Sequence, residues 1–243
     1  MEIRGKTALV TGGAKRIGRI IALELAKNGA HILLHYHNSE KEAKETASEI
    51  KSLGVSCSLL KADLSQAGDI SKMTVEAEKL SKNVDILVNS ASLYYKTPIE
   101  TVSETDWDRF FAANLKGPAL LAAGIGRQMM QKNGGKIVNI ADWSGFRPYK
   151  DFSAYCSSKG GLITLTKALA RDLAPKVQVN AVAPGPVLMP PDMSENEKEA
   201  IAKTTALGRW GKPEDVAYAV TFLVENDFVN GIVLVVDGGR SIV

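Results

Sequence analysis

Short runs of β-branched and aliphatic residues recur along the chain, each followed by a longer stretch of helical period. This alternation restricts the fold more than any other feature. The strand candidates are Thr7–Thr11, Ala30–Tyr36, Val55–Ala62, Asp85–Asn89, Gly135–Ala141, Val177–Ala183 and Ile232–Val236. All are bounded by Gly, Asn, Asp or Pro. Their apolar faces are nearly continuous, the pattern of strands covered by helices on both sides. Helical period is found at Arg16–Lys27, Ser39–Leu53, Ala67–Ser81, Ser103–Ala113, Pro118–Lys132, Phe152–Leu173 and Pro213–Glu225. Many of these open on Ser, Asp or Pro. The order predicts one α/β domain over residues 1–243, doubly wound, with a parallel seven-stranded sheet, helices on both faces and right-handed crossovers. The irregular stretch Pro184–Arg209 holds Pro190-Pro191 and a short polar helix candidate, Ser194–Lys203. An insertion of that length reads as a lid, and residues 186–209 are expected to close over a substrate.

Composition removes several function classes. With 243 residues, 45% of them hydrophobic, the chain can bury a core without disulfides. Cys57 and Cys156 have neither metal-ligand nor CxxC spacing and point to a reducing compartment. The net charge of +3 comes without a Lys/Arg run of five, so no nucleic-acid partner is expected. No stretch of ~18 apolar residues is present, so no membrane partner is expected either. The opening MEIRGKTALVTGG has no secretory pattern, and the expectation is a cytoplasmic protein.

The first strand runs into Thr11-Gly12-Gly13-Ala14-Lys15-Arg16-Ile17-Gly18 and then a helix. Small residues let the backbone turn tightly, and a helix N-terminus presents free N–H groups to a pyrophosphate. The bland alternative is a plain strand-to-helix turn, but the first βα turn is where a doubly wound sheet binds nucleotides. An NAD site would need a carboxylate at the end of the second strand to hold the ribose. The sequence there is His35-Tyr36-His37-Asn38-Ser39, with no carboxylate before Glu40. Hydrogen-bond donors and the nearby Arg16 favour the 2′-phosphate of NADPH. His31, His35 and His37 fall at even spacing on one face, yet no carboxylate or Cys accompanies them, so no metal is expected. Packing of His31 and His35 under a helix stands beside a functional role for them.

Tyr155 and Lys159 are four apart on the long helix and point to the same side. A phenol has an ordinary pKa of about 10, and an ammonium beside it lowers that value toward working range. Such a pair is expected to do acid–base chemistry.

The ordered motifs carry a resemblance. With Thr11–Gly18, Asp63-Leu64, Asn89-Ser90-Ala91, Asn114, Tyr155-x-x-x-Lys159, Pro184-Gly185 and Asp237-Gly238-Gly239, the whole chain resembles the short-chain dehydrogenase/reductases, which have a Rossmann fold. The resemblance implies that Gly12, Lys15, Arg16, Ile17 and Gly18 meet the cofactor phosphates. It further implies that Asp63 and Leu64 lie at the adenine, Asn89, Ser90 and Ala91 along the cofactor, and Pro184, Gly185 and Val187 at the nicotinamide. Lys159 would hold the nicotinamide ribose, and Asn114 a water that relays protons to it. The departures are specific. Asp142 replaces a Ser thirteen residues before the Tyr, Arg16 replaces a turn glycine, and Met189 replaces a Thr after Pro184-Gly185. Asp142 and Arg16, together with His35-Tyr36-His37-x-Ser39, Ser92 and Tyr94, are similar to the pteridine reductase branch. That likeness implies 2′-phosphate contacts from His37 and Ser39, with His35, Tyr36 and Asn38 alongside. Ser92 would face the phosphates, and Arg16, Tyr94, Asp142 and Tyr155 the substrate. It also implies a homotetramer, with the Asn114 region and the Phe152–Leu173 helix packed between subunits.

Asp142 supports the branch on chemical grounds. An ionised carboxylate cannot donate a hydrogen bond and repels the oxyanion formed in ketone reduction. A heterocycle with N–H donors suits it better; a protonated Asp142 mimicking the Ser is the alternative. Tyr94 could cover such a ring, while Tyr95, Trp143 and Trp210 are read as loop packing and Cys156 as a small buried residue. The expectation is an NADPH-dependent reductase acting on a dihydropteridine or dihydrofolate-like small molecule, with Asn114, Asp142, Tyr155 and Lys159 catalytic. The alternative is a 3-oxoacyl carrier-protein reductase or related carbonyl reductase, which the Leu207-Gly208-Arg209-Trp210-Gly211-x-Pro213-Glu214-Asp215 stretch resembles. A third reading is a non-catalytic NADP-binding sensor, disfavoured because Tyr155 and Lys159 are both present.

Overall fold

A computed structural model of the chain describes residues 1–81, 83–189 and 193–243. Its strands are β1 (Thr7–Val10), β2 (His31–Tyr36), β3 (Cys57–Lys61), β4 (Ile86–Asn89), β5 (Gly135–Ile140), β6 (Val177–Pro184) and β7 (Val233–Val236). They form one sheet in the order β3-β2-β1-β4-β5-β6-β7, with every neighbouring pair parallel. The helices are α1 (Arg16–Lys27), α2 (Glu40–Ser52), α3 (Ala67–Leu80), α4 (Glu104–Phe111), α5 (Gly117–Gln131), α6 (Ser153–Asp172), α7 (Glu195–Ala202) and α8 (Pro213–Glu225).

The two-residue period of the strands divides the core into two layers. On β1, Ala8 and Val10 face Ile21 and Leu25 of α1, Ile50 of α2 and Val220 of α8. Leu9 faces the opposite way, into a cluster with Met73 of α3, Leu121 and Ile125 of α5 and Ala170 of α6. Both faces are buried, so the strands can be apolar throughout. At about 25 cal/mol per Å2 of apolar surface, this burial is the main stabilising term. Strand order reverses between β1 and β4, which opens a crevice beyond their carboxyl ends, where doubly wound sheets bind ligands.

The elements fall within two residues of the expected bounds, with one difference. A break between Ala113 and Pro118 is expected from the sequence, but α4 runs into α5 through a π-helical turn, Ala112–Lys116. Pro118 lies in the first turn of α5, where its missing N–H costs least. Gly117 is required there, because a Cβ would sit 2.7 Å from the Leu64 carbonyl oxygen. The π turn carries Asn114. Of the expected lid, the polar helix is α7, opened by a Ser194–Glu197 capping box, while Pro190, Pro191 and Asp192 lie outside the described residues.

Candidate active site

The first turn is held at the switch point by groups from the ends of three strands, β1, β2 and β4. Thr11 Oγ1 accepts hydrogen bonds from the Ser90 and Ala91 N–H groups at 2.9 and 3.1 Å, tying the end of β1 to the end of β4. Gly12 has φ +64°, and a Cβ on it would lie 2.9 Å from Ala91 Cα. A Cβ on Gly18 would lie 2.3 Å from the Gly12 carbonyl oxygen, so the turn closes only with glycine at both places. Lys15 precedes α1 without a side-chain cap, which leaves the N–H groups of the first helical turn open to a ligand. Arg16 adopts φ +58°, a left-handed conformation that is strained for a residue with a Cβ.

His35 is structural here rather than idle. Its Nδ1 accepts from the Gly12 N–H at 3.1 Å, so Nε2 carries the proton and donates to the Ala62 carbonyl at 3.1 Å. Burial pushes its pKa down to about 4, which keeps the ring neutral. Beyond it, Tyr36, His37, Asn38 and Ser39 line the same cleft as the first turn. His37 Nε2 lies 3.9 Å from Asp63 Oδ2, and Asp63 borders an adjoining hollow with Lys61 and Lys72. His31 is separate, accepting from the Ser56 N–H. Leu64 is a core residue. Asn89 donates to Asn139, which in turn donates to Thr166 on α6, so Leu64 and Asn89 brace the cleft from behind.

At the other end, β5 delivers Asp142 and α6 delivers Tyr155 and Lys159. Asp142 Oδ1 accepts from the Ser144 N–H, and Oδ2 accepts from the Tyr155 hydroxyl, both at 2.8 Å. Lys159 Nζ donates to the Ile140 carbonyl at 2.8 Å and lies 5.8 Å from the Tyr155 ring centre. Burial pushes Lys159 down to about 8. The expectation that the ammonium lowers Tyr155 is corrected. Burial and the Asp142 carboxylate hold the phenol well above its ordinary value, while Lys159 is occupied by a backbone carbonyl. Asn114 is fully engaged: it accepts from the Leu93 N–H and Ser92 hydroxyl and donates to Leu93 O and to Ser158. Ser158 donates to the Tyr155 carbonyl, so Asn114 links the Ser92–Tyr94 segment to the Tyr155 helix. Tyr94 lies flat on Phe152 and edge-on to Tyr155, both at 4.9 Å.

One cleft of about 770 Å3 joins the two ends, lined by Arg16, His37, Ser92, Asp142, Tyr155, Lys159, Gly185 and Val187 among others. Its lining also includes Met193 before α7 and Ile201 on it. A Cβ on Gly185 would lie 2.6 Å from Asp237 Cα, so this side too needs a bare backbone. Sequence reasoning missed Tyr149 and Arg240, and took Trp143 and Trp210 for packing, yet all four line the cleft. Trp143 stacks on Tyr149 at 5.6 Å, and the Arg240 guanidinium covers Trp143 at 4.4 Å. The available signal was the turn Asp237-Gly238-Gly239, in which both glycines have positive φ and Asp237 accepts from the Gly239 and Ser241 N–H groups.

Residues 6–201 match the short chain dehydrogenase family model. The chain belongs to the short-chain dehydrogenase/reductase family. It is therefore an oxidoreductase of a fold that works with a nicotinamide cofactor, and the glycine-bounded turn with its open helix N-terminus fits the pyrophosphate of such a group. Among short-chain dehydrogenase/reductase relatives, the 3-oxoacyl-[acyl-carrier-protein] reductase FabG of Staphylococcus epidermidis is 33% identical over 239 residues, covering 96% of this chain and 98% of the relative. A dehydrogenase/reductase from Sinorhizobium meliloti superposes with TM-score 0.92 at 36% identity, over 98% of this chain and 97% of the other. The FolM alternative dihydrofolate reductase 1 of Brucella canis, solved with NADP, superposes with TM-score 0.93 at 31% identity, over 100% and 96%. Among the described residues, no helix is long and apolar enough to cross a membrane.

Proposed function

We propose that this protein is an NADPH-dependent reductase of a dihydropteridine or dihydrofolate-like ring. The observation that carries the reading is the 2.8 Å hydrogen bond from the Tyr155 hydroxyl to Asp142. An acceptor stands where a carbonyl reductase would place a donor, and an acceptor suits a heterocycle rich in N–H groups. The likeness to a dihydrofolate reductase solved with NADP supports the same reading.

In this reading the first turn, with Lys15 and Arg16, holds the pyrophosphate together with Ser90, Ala91 and Ser92. His37, Asn38 and Ser39 take the 2′-phosphate, and no carboxylate stands at the end of β2 before Glu40 to claim the ribose instead. Pro184, Gly185 and Val187 flank the nicotinamide, and Lys159 meets its ribose. The bound cofactor supplies a hydride. Tyr155 supplies the proton to a neighbouring ring nitrogen, and its raised pKa keeps the phenol protonated at neutral pH. Asp142 orients that hydroxyl and accepts from the ring. Tyr94, half-exposed, covers the ring, a contact of about 1 kcal/mol. Residues 186–209 form the lid, the whole chain is one catalytic domain, and the protein works as a homotetramer, which light scattering would test.

A 3-oxoacyl carrier-protein reductase is the second reading, favoured by the FabG likeness. NADPH consumption with dihydrobiopterin against an acetoacetyl thioester separates the two. Turnover of the pterin that drops at least a hundredfold in Asp142→Ser is expected. Exclusive turnover of the thioester, or pterin turnover indifferent to Asp142→Ser, refutes the proposal.

A further inference from the structure

The substrate end of the cleft holds a cation that the chemistry above does not use. Arg240 follows the Asp237-Gly238-Gly239 turn, which fixes its backbone: the Arg240 N–H donates to Asp237 O, and a Cβ on Gly239 would lie 2.7 Å from Ala206 Cβ. The guanidinium lies 4.4 Å over the Trp143 ring. The guanidinium N–H groups have no protein acceptor among the described residues, while the Arg240 carbonyl accepts from Arg147. Burial works against its charge, and Tyr149 and Asp142 favour it. Half-desolvated guanidinium donors without partners are costly unless a ligand takes them.

The other cations lining the cleft have different surroundings. Lys15 and Arg16 stand in the first turn, and Lys159 donates to Ile140 O. Arg240 stands instead at the far end of an aromatic wall. From Tyr155 the wall runs through Tyr94, whose hydroxyl oxygen accepts from Tyr149 at 3.3 Å, and then through Tyr149 and Trp143 to the guanidinium. We propose that Arg240 is a specificity-determining residue that binds an oxyanion, a carboxylate or a phosphate, on a tail extending from the reacting group along this wall. The planar fork of the guanidinium matches both anions in two-point geometry, and the flat aromatic wall fits an aryl linker. The substrate would then be a ring conjugated to an anionic tail rather than a free ring. That choice rests on the ring reduction proposed above, whereas the anion site itself does not.

The test compares wild type, Arg240→Ala and Arg240→Lys with NADPH on two substrates sharing a ring: dihydrofolate, which carries carboxylates, and dihydrobiopterin, which does not. Arg240→Ala should raise KM for dihydrofolate with little change in kcat, and its loss in kcat/KM should exceed that on dihydrobiopterin roughly 10- to 100-fold. Arg240→Lys, keeping charge without the fork, should fall between. Equal losses on both, or none, overturn the assignment. If neither ring is reduced, the ring reading fails by itself. The anion site is then judged by acetoacetyl-CoA, which carries phosphates, against acetoacetyl-N-acetylcysteamine, which carries none. A selective loss on the former upholds it with phosphate as the anion; an unselective loss, or no turnover of either, overturns it.

Discussion

Acidification from pH 7 to pH 5 should loosen this protein through one side chain, His35. Its pKa is about 4 in the folded chain, against an ordinary value of about 6.5. Between those values the unfolded chain binds a proton that the native ring refuses, so stability falls as pH drops below 6.5 and the loss levels off near 4. At pH 5 the linkage costs about 2 kcal/mol, rising to about 3 kcal/mol at the plateau. The cause is visible: His35 is 2% exposed, and its Nδ1 must accept from the Gly12 N–H, which a protonated ring cannot do. Carboxylates contribute little in this window, because Asp227, held down to about 2 by Lys136, loses its charge only at lower pH. Urea unfolding at fixed protein concentration, at pH 7 and pH 5, reads the change, with His35→Gln as the variant that removes the titration. The wild type should lose about 2 kcal/mol between the two and His35→Gln much less. An equal loss in both would refute the assignment, whatever the absolute stability of the variant. Because the native ring stays neutral at pH 5, the bond that sets the first turn persists, and loss of NADPH affinity through His35 should begin only as pH approaches 4.

Three further outcomes follow from the same geometry. Arg16→Gly relieves the left-handed strain at φ +58° and, after the entropy glycine adds to the unfolded chain, should raise stability by about 0.5–1 kcal/mol while weakening NADPH binding in a fluorescence titration. Lys159→Met should abolish turnover yet stabilise the fold by about 2 kcal/mol at pH 7 in urea unfolding. The ammonium, at about 8, bears its full burial cost below that pH and is relieved as pH rises toward 10.5, so the advantage of the variant should shrink in alkali. Gly18→Ala places a Cβ 2.3 Å from the Gly12 carbonyl oxygen and should destabilise by about 1–3 kcal/mol and remove NADPH binding, both measurable on the purified variant.

The layered sheet was legible because strand and helix periods alternate and Gly, Asn, Asp or Pro marks the ends of the apolar runs. The first turn was legible too, since glycines that must lie against another backbone leave a pattern at fixed offsets. Gly117-Pro118 misled because a helix breaker in sequence is tolerated in the first turn of a helix, and a π turn upstream let the chain stay helical. The Tyr155–Lys159 spacing correctly put two side chains on one helix face but carried no distance to Ile140 O, the acceptor that takes the ammonium, or to Asp142, the carboxylate that takes the phenol. The Asp237-Gly238-Gly239 turn before Arg240 marked a bend in the chain but not what the guanidinium would lie against. Its meaning arises from Trp143, which a separate strand end brings beneath it.

The bond between Tyr155 and Asp142 also bears on direction. Oxidation of an alcohol or amine would require Tyr155 to work as a phenolate base, but that phenolate would stand 2.8 Å from a carboxylate oxygen in a buried site. Two like charges at that separation disfavour one another strongly, and Lys159, 5.8 Å from the ring centre and donating to Ile140 O, is poorly placed to offset them. A protonated Tyr155 meets no such conflict, because Asp142 accepts its proton as a hydrogen bond. Once Tyr155 has given that proton to a substrate, the same repulsion drives it to recover one from solvent. Asp142 thereby biases the pair toward proton donation, the half of the chemistry that a reductase needs, and a serine in its place would remove the bias together with the negative charge.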